Sequence, residues 1–335
     1  MTQMFGRLKE FWRARRENRR LREELAKANN RIARQRFRIK QLRAGSADAY
    51  PITAENIVWI FGGARTGSTW LSEMMGELEG YAVWNEPLVG ALFGNLYYER
   101  AGHRIGKPGR DYILGERYRE SWLGSIRVFV LREASARFPE ASGPGNYLVI
   151  KEPNGSFGAP LLMEALPQSR MILLVRDPRD VVASAKDARS EWGWGYEGGY
   201  EEREPDIERS WRIVEENVDA FVRLRAVLYR QRIEVSKLAY KAHKGRKVAV
   251  RYEDLVADTL GTMRRIYSEL GIRVDEDELR GAVERHSWEN IPEQEKGPGK
   301  KRRKGTPGGW REDLASEHVR IVEEETRPLL EEFYP

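Results

Sequence analysis

The chain has 335 residues, 40% of them hydrophobic, a formal net charge of +6 and no cysteine. That length buries one large α/β core or two smaller ones, and the lack of cysteine excludes a disulfide scaffold, a thiolate zinc site and a cysteine nucleophile. No run approaches the roughly 18–20 apolar residues that cross a bilayer, and the N-terminus lacks the apolar core of a secretory signal, so a soluble cytoplasmic protein is expected.

The basicity belongs to one segment. Between Phe5 and Arg43, fifteen Lys and Arg stand against four Glu, which leaves the rest of the chain net acidic. Phe11, Ala14, Asn18, Leu21, Leu25, Ala28, Ile32, Gln35, Ile39 and Leu42 recur at spacings of three and four, a heptad seam. Residues 1–45 are expected to form a basic coiled-coil helix that makes the chain a homo-oligomer, Asn18 and Gln35 being polar interruptions that set register. Its arginines are either solvated charge or a contact for an anionic membrane or nucleic acid. Small, polar and proline-bearing residues follow, so 46–54 read as a linker and 55–335 as the globular domain.

In that domain "NIVWIFG" (Asn56 to Gly62) is a β-branched and aromatic run, the pattern of a strand buried on both faces of a parallel sheet. Leu71, Met74, Met75 and Leu78 then mark the apolar stripe of a helix. The turn between them, "FGGARTGSTW", fits a phosphate loop at Gly62, Gly67 and Thr69, but Ser68 occupies the lysine position. Strand, glycine turn and helix aim backbone N–H groups and the positive helix end at the turn, where Arg65 adds a cation and Ser68 and Thr69 add hydroxyls. The plainer alternative is a turn whose Ser and Thr cap the helix.

Two carboxylates end apolar runs just before a proline: Glu86 in "VWNEP" and Glu152 in "YLVIKEP". Both positions open on the sheet edge that carries the glycine turn, unless each Glu merely pairs locally. Met171 to Val175 predicts another buried strand, and Asp177-Pro178 turns the chain into a helix. Ligands of open α/β sheets collect beyond the carboxyl ends of strands, so Arg176 is placed to meet an anion there, or pairs with Asp177 or Asp180. Ser184, about two helical turns on, offers a hydroxyl to the same group. Lys300 to Lys304 are five consecutive cations in a glycine- and proline-rich stretch where no helix is expected, a loop whose charges can close over an anion. Residues 95–123 and 191–205 mix aromatics, glycine and charge, which suits an acceptor lining and equally a surface loop.

Together these stretches, from Asn56 onward, resemble the sulfotransferase family, which moves a sulfuryl group from 3′-phosphoadenosine 5′-phosphosulfate (PAPS) to a hydroxyl or amine. "GGARTGSTWL" resembles its 5′-phosphosulfate loop, "LLVRDPRDVVASA" its 3′-phosphate strand and helix, "VRYEDLVAD" with Tyr252 a recurrent later strand, and "RKGTPGGWR" its nucleotide-covering loop. The resemblance implies a P-loop-like three-layer α/β fold with a central parallel sheet, PAPS as co-substrate and no metal. It implies donor contacts from Arg65, Thr66, Gly67, Ser68, Thr69, Trp70, Arg176, Ser184, Tyr252, Arg303, Lys304 and Gly305. A Walker lysine works beside Mg²⁺ on β- and γ-phosphates, whereas this donor carries one phosphate and one sulfuryl group at its 5′ end, so Arg65 suffices. No histidine stands where aryl-type members carry their base. "WNEP" is instead similar to the tyrosylprotein and carbohydrate branch, which implies Glu86 as base and Lys151 near the transferring group, with Glu152 in reserve. The expected acceptor is a hydroxylated small molecule or glycan, a carbohydrate or glycolipid foremost. The rivals are a P-loop small-molecule kinase using Mg-ATP and a non-enzymatic scaffold.

Overall fold

The computed structural model describes residues 50–101, 112–188, 217–297, 300 and 302–335. The coiled coil read over 1–45, the stretch 191–205 and part of 95–123 lie outside them. Five parallel strands form one sheet: β1 (Ile57–Gly62), β2 (Tyr81–Asn85), β3 (Tyr147–Lys151), β4 (Arg170–Val175) and β5 (Lys247–Arg251), in the order β2-β3-β1-β4-β5. The helices are α1 (Ser68–Gly76), α2 (Val89–Ala101), α3 (Arg119–Arg137), α4 (Ala159–Ala165), α5 (Pro178–Ala188), α6 (Val218–Ala242), α7 (Tyr252–Ala257), α8 (Thr259–Leu270), α9 (Glu276–Arg285), α10 (Trp310–Asp313) and α11 (Ser316–Phe333).

The continuous apolar run of β1 exists because helices cover both of its faces. Ile57, Trp59 and Phe61 point into a cluster shared with Ile126 and Val130 of α3, Leu161 of α4 and Ile233 of α6. Val58 and Ile60 point the other way, to Leu71, Met74 and Met75 of α1, Ile266 of α8 and Leu279 of α9. This is the expected layering of helix, sheet and helix. Packing begins before β1: Ile52 is fully buried, and its N–H donates to Ser135 Oγ at 3.1 Å, inside the segment read as a linker.

The strand order decides where a site can form. From β1 the chain crosses outward past β3 to β2, returns to β3 and then crosses over β1 to β4, so the turn after β1 lies at a topological switch point between the turns after β3 and β4. All five carboxyl ends share one edge. Arg65, Glu86, Glu152, Arg176 and Tyr252 each follow a different strand there. Two local expectations need correction. Tyr252 is the first residue of α7 rather than part of a strand, and the stretch from Lys300 ends in the short helix α10, because the run of glycine and proline stops at Gly309.

Candidate active site

Gly67 caps α1 with a left-handed φ of 84°, and Ser68 opens the helix, so the first turn presents its N–H groups and the Ser68 and Thr69 side chains at the sheet edge. Thr66 is fully buried and donates to Gly63 O at 2.8 Å, tying the turn to itself. Gly63 has a packing reason: a Cβ there would lie 2.3 Å from the Tyr229 ring. The Tyr229 hydroxyl donates to Arg176 O at 2.7 Å and accepts from Arg176 N at 2.9 Å, so one side chain of α6 braces the turns after β1 and β4 together.

Arg176 pairs with neither Asp177 nor Asp180. Its Nη1 donates to Arg65 O at 3.1 Å and its guanidinium lies over the Tyr252 ring, 4.2 Å from the centroid. Asp177 instead holds Arg179, and Asp180 accepts from Gly308 N at 2.7 Å and Trp310 N at 3.0 Å, which fastens the loop carrying Arg303 to Gly305 onto α5. Arg179 stacks over Trp310 at 4.2 Å and adds to that attachment. Within the loop Arg303 pairs with Asp313, and Lys304 with Glu312 and Asp313.

The two anion sites expected at opposite ends of a nucleotide are joined in the structure. Arg65 Nε donates to Ser184 Oγ at 2.9 Å, so the cation of the glycine turn reaches the hydroxyl of α5. Burial, and next the neighbouring Arg176 guanidinium, push the Arg65 pKa down to about 10. Two guanidiniums held this close mark a place built for an anion. Among the described residues, the buried Nε of Arg176 has no hydrogen-bond partner, so the donor set fits a phosphate.

The acidic side of the site is as compact. Lys151, the last residue of β3, is only 3% exposed. Its Nζ donates to Glu86 Oε1 at 2.7 Å and Thr69 Oγ1 at 2.9 Å, which links the carboxylate to the first turn of α1. Asn154 Nδ2 donates to Glu86 Oε2 at 2.6 Å. Glu86 keeps 30% of its side-chain surface open, whereas Glu152 is fully buried. Trp70 donates to His286 O at 2.8 Å and meets Tyr252 edge-on at 6.2 Å, closing the turn on its α9 side.

Sequence reasoning missed Tyr229, Asp180, Asn154 and Trp310. Asp180 and Trp310 stand inside the quoted motifs and Asn154 directly follows one, between Pro153 and Gly155, which was a usable signal. Tyr229 lies on a long helix without a motif, and only the packing reveals it. Among the described residues the histidine side chains point elsewhere: His243 is buried, with its pKa lowered by burial, and His286 and His318 face Glu77 and Asp219. Among the described residues, no three His, Cys, Asp or Glu side chains gather as a metal site requires.

A glycine turn braced between β3 and β4, with cations and hydroxyls converging on it, defines an enzyme that handles phosphate and sulfate esters. The family model described as the sulfotransferase family matches residues 58–276, and the chain belongs to that family. No curated protein matches it. Similar solved structures include a sulfotransferase from Mycobacterium avium, 14% identical over 84% of this chain and 78% of that one, with a TM-score of 0.48. A mouse sulfotransferase complexed with PAP is 14% identical over 84% of this chain and 86% of its own, with a TM-score of 0.47. Retinol dehydratase in a complex with retinol and PAP is 16% identical over 85% and 84%, with a TM-score of 0.43.

Proposed function

We propose that the chain transfers a sulfuryl group from PAPS to the hydroxyl of a carbohydrate or glycolipid, with Glu86 as the base. The observation that carries this is the ammonium of Lys151, which touches both Glu86 and Thr69 and so couples the base to the helix turn that would face the sulfuryl end.

When bound, the donor supplies the sulfuryl group and a phosphate leaving group. Glu86 takes the acceptor's proton on the carboxylate that Lys151 and Asn154 hold in place. Lys151, Arg65, the backbone N–H groups from Gly67 to Trp70 and the Ser68 and Thr69 hydroxyls stabilise the negative charge that develops, each donor being worth roughly 3–4 kcal/mol, or 10²–10³ in rate. Arg176, Ser184, Arg303, Lys304 and Gly305 bind the 3′-phosphate, Thr66 keeps the turn in shape, and Trp70 and Tyr252 flank the nucleotide. Binding at that end exchanges the Asp313 and Glu312 partners of Arg303 and Lys304 for phosphate oxygens. Residues 1–45 assemble copies of the chain as a coiled coil.

Glu86→Gln tests the assignment. Isothermal titration with PAP is expected to give an unchanged Kd while turnover of radiolabelled PAPS is lost; retained turnover removes Glu86 as the base. Thermal shifts with PAP against Mg-ATP separate sulfuryl transfer from the kinase alternative, since only the former predicts stabilisation by PAP without a divalent cation.

A further inference from the structure

Glu152 was the reserve candidate for the base, and its surroundings suit another task. Its carboxylate is fully buried and both oxygens are engaged by main-chain donors: Oε2 accepts from Leu88 N at 3.1 Å and Oε1 from Gly90 N at 2.9 Å. Those donors belong to the turn that leads from Glu86 into α2. The turn is unusual, because Glu86 (φ 46°) and Leu88 (φ 57°) both lie in the left-handed region without being glycine. Such residues cost of order 1–3 kcal/mol each and persist only where the surroundings over-determine them. Here the surroundings are Lys151 O, which accepts from Glu86 N at 2.8 Å, and the Glu152 carboxylate. Glu152 is itself fixed, since its N–H donates to Ile60 O of β1 at 2.9 Å. Gly155 leaves it room: a Cβ there would lie 1.9 Å from Oε1.

We infer that Glu152 is a positioning residue that acts through Glu86, its ionised carboxylate clamping the strained 86–90 turn so that the base faces the site. This rests on Glu86 being the base. The clamp depends on charge, because a protonated carboxyl offers one oxygen as a donor to an N–H that also donates. Burial raises the Glu152 pKa, the bonds from Gly90 and Leu88 and the Lys151 cation lower it, the Glu86 charge raises it, and the balance falls at about 7. Beside burial, those four groups are the largest influences on it. Above that pH the clamp is closed, and below it the turn loses its acceptor.

The experiment measures kcat against pH with radiolabelled PAPS and octyl β-galactoside, together with PAP affinity, for the full chain and its variants. The unaltered enzyme is expected to show an acid limb in kcat near pH 7 with PAP affinity flat across it; a kcat flat through pH 6–8 overturns the proposal without any variant. Glu152→Gln should lower kcat about tenfold to a hundredfold, the scale of a misplaced catalytic group, leave PAP affinity within about twofold and abolish the limb. Glu152→Asp, which keeps the charge, should keep the limb. In the Glu86→Gln background the further change Glu152→Gln should alter the residual rate by less than about twofold. A kcat unmoved by Glu152→Gln, or PAP affinity lost in step with it, refutes the clamp even where Glu86→Gln is inactive, whereas turnover surviving in Glu86→Gln alone refutes the base.

Discussion

The clamp has a thermodynamic signature that Glu152→Gln exposes. Glu152 titrates at about 7 in the fold against an ordinary 4.5, so folding binds its proton more tightly than the unfolded chain does. A raised folded pKa contributes stability that is full below about 4.5 and is lost as pH rises through about 7. The gap between those values, at about 1.4 kcal/mol per pH unit, makes the ionised carboxylate cost about 3 kcal/mol at pH 8 relative to its protonated form. Glutamine carries no such charge and, like the protonated carboxyl, satisfies only one of the two N–H donors, so it stands in for the protonated form at every pH. Urea unfolding should therefore find the variant within about 1 kcal/mol of the parent at the acid end, near pH 4.5, and about 3 kcal/mol more stable at pH 8. A stability difference that is the same at both pH values would refute the argument, since burial of an ionised group would then not be the cost. The proposed gain in activity above pH 7 thus runs against stability.

Lys151→Ala removes the link between Glu86 and Thr69, and kcat is expected to fall by about 10²–10³ with PAP affinity changed less than about tenfold; a rate within tenfold of the parent would show that the ammonium only packs. Arg176→Ala should weaken PAP binding far more than adenosine 5′-phosphate binding in calorimetry, and equal losses would deny it a role at the 3′-phosphate. Asp180→Ala leaves Gly308 N and Trp310 N without their acceptor, so tryptic cleavage beside Arg303 and Lys304 should accelerate and PAP affinity drop several-fold. Cleavage at the parental rate would mean that the stacking of Arg179 on Trp310 alone retains the loop.

The elements that carry their own periodicity were readable in advance. β1, β4 and α1 follow from continuous apolar runs and a three-and-four stripe, and the position of Arg176 beyond a strand follows from β4 alone. Strand order was not readable, because it depends on which strands pair over long sequence distances rather than on any one of them. The same limit explains the Arg65–Ser184 bond: 119 residues separate the two, and the family resemblance assigned them to different ends of the donor. Glu86 and Glu152 looked equivalent in sequence, each an acid before a proline. Burial separates them, one open at the sheet edge and the other enclosed and bound by main-chain donors. Tyr252 was placed one element early because the polar residues after it allow either strand or helix.

The left-handed backbone at Glu86 and Leu88 also restricts how this family member can diversify. Valine, isoleucine or threonine at position 88 would set a branched β-carbon against its own carbonyl, while glycine or asparagine would be admitted at little expense. Position 86 has no such freedom under the proposed mechanism, since neither of those residues supplies a carboxylate base. A library built over residues 86–90 should therefore recover active clones that vary at 88 only among residues without a branched β-carbon, glycine and asparagine foremost beside the parental leucine, and drift in acceptor preference has to come from neighbouring segments instead.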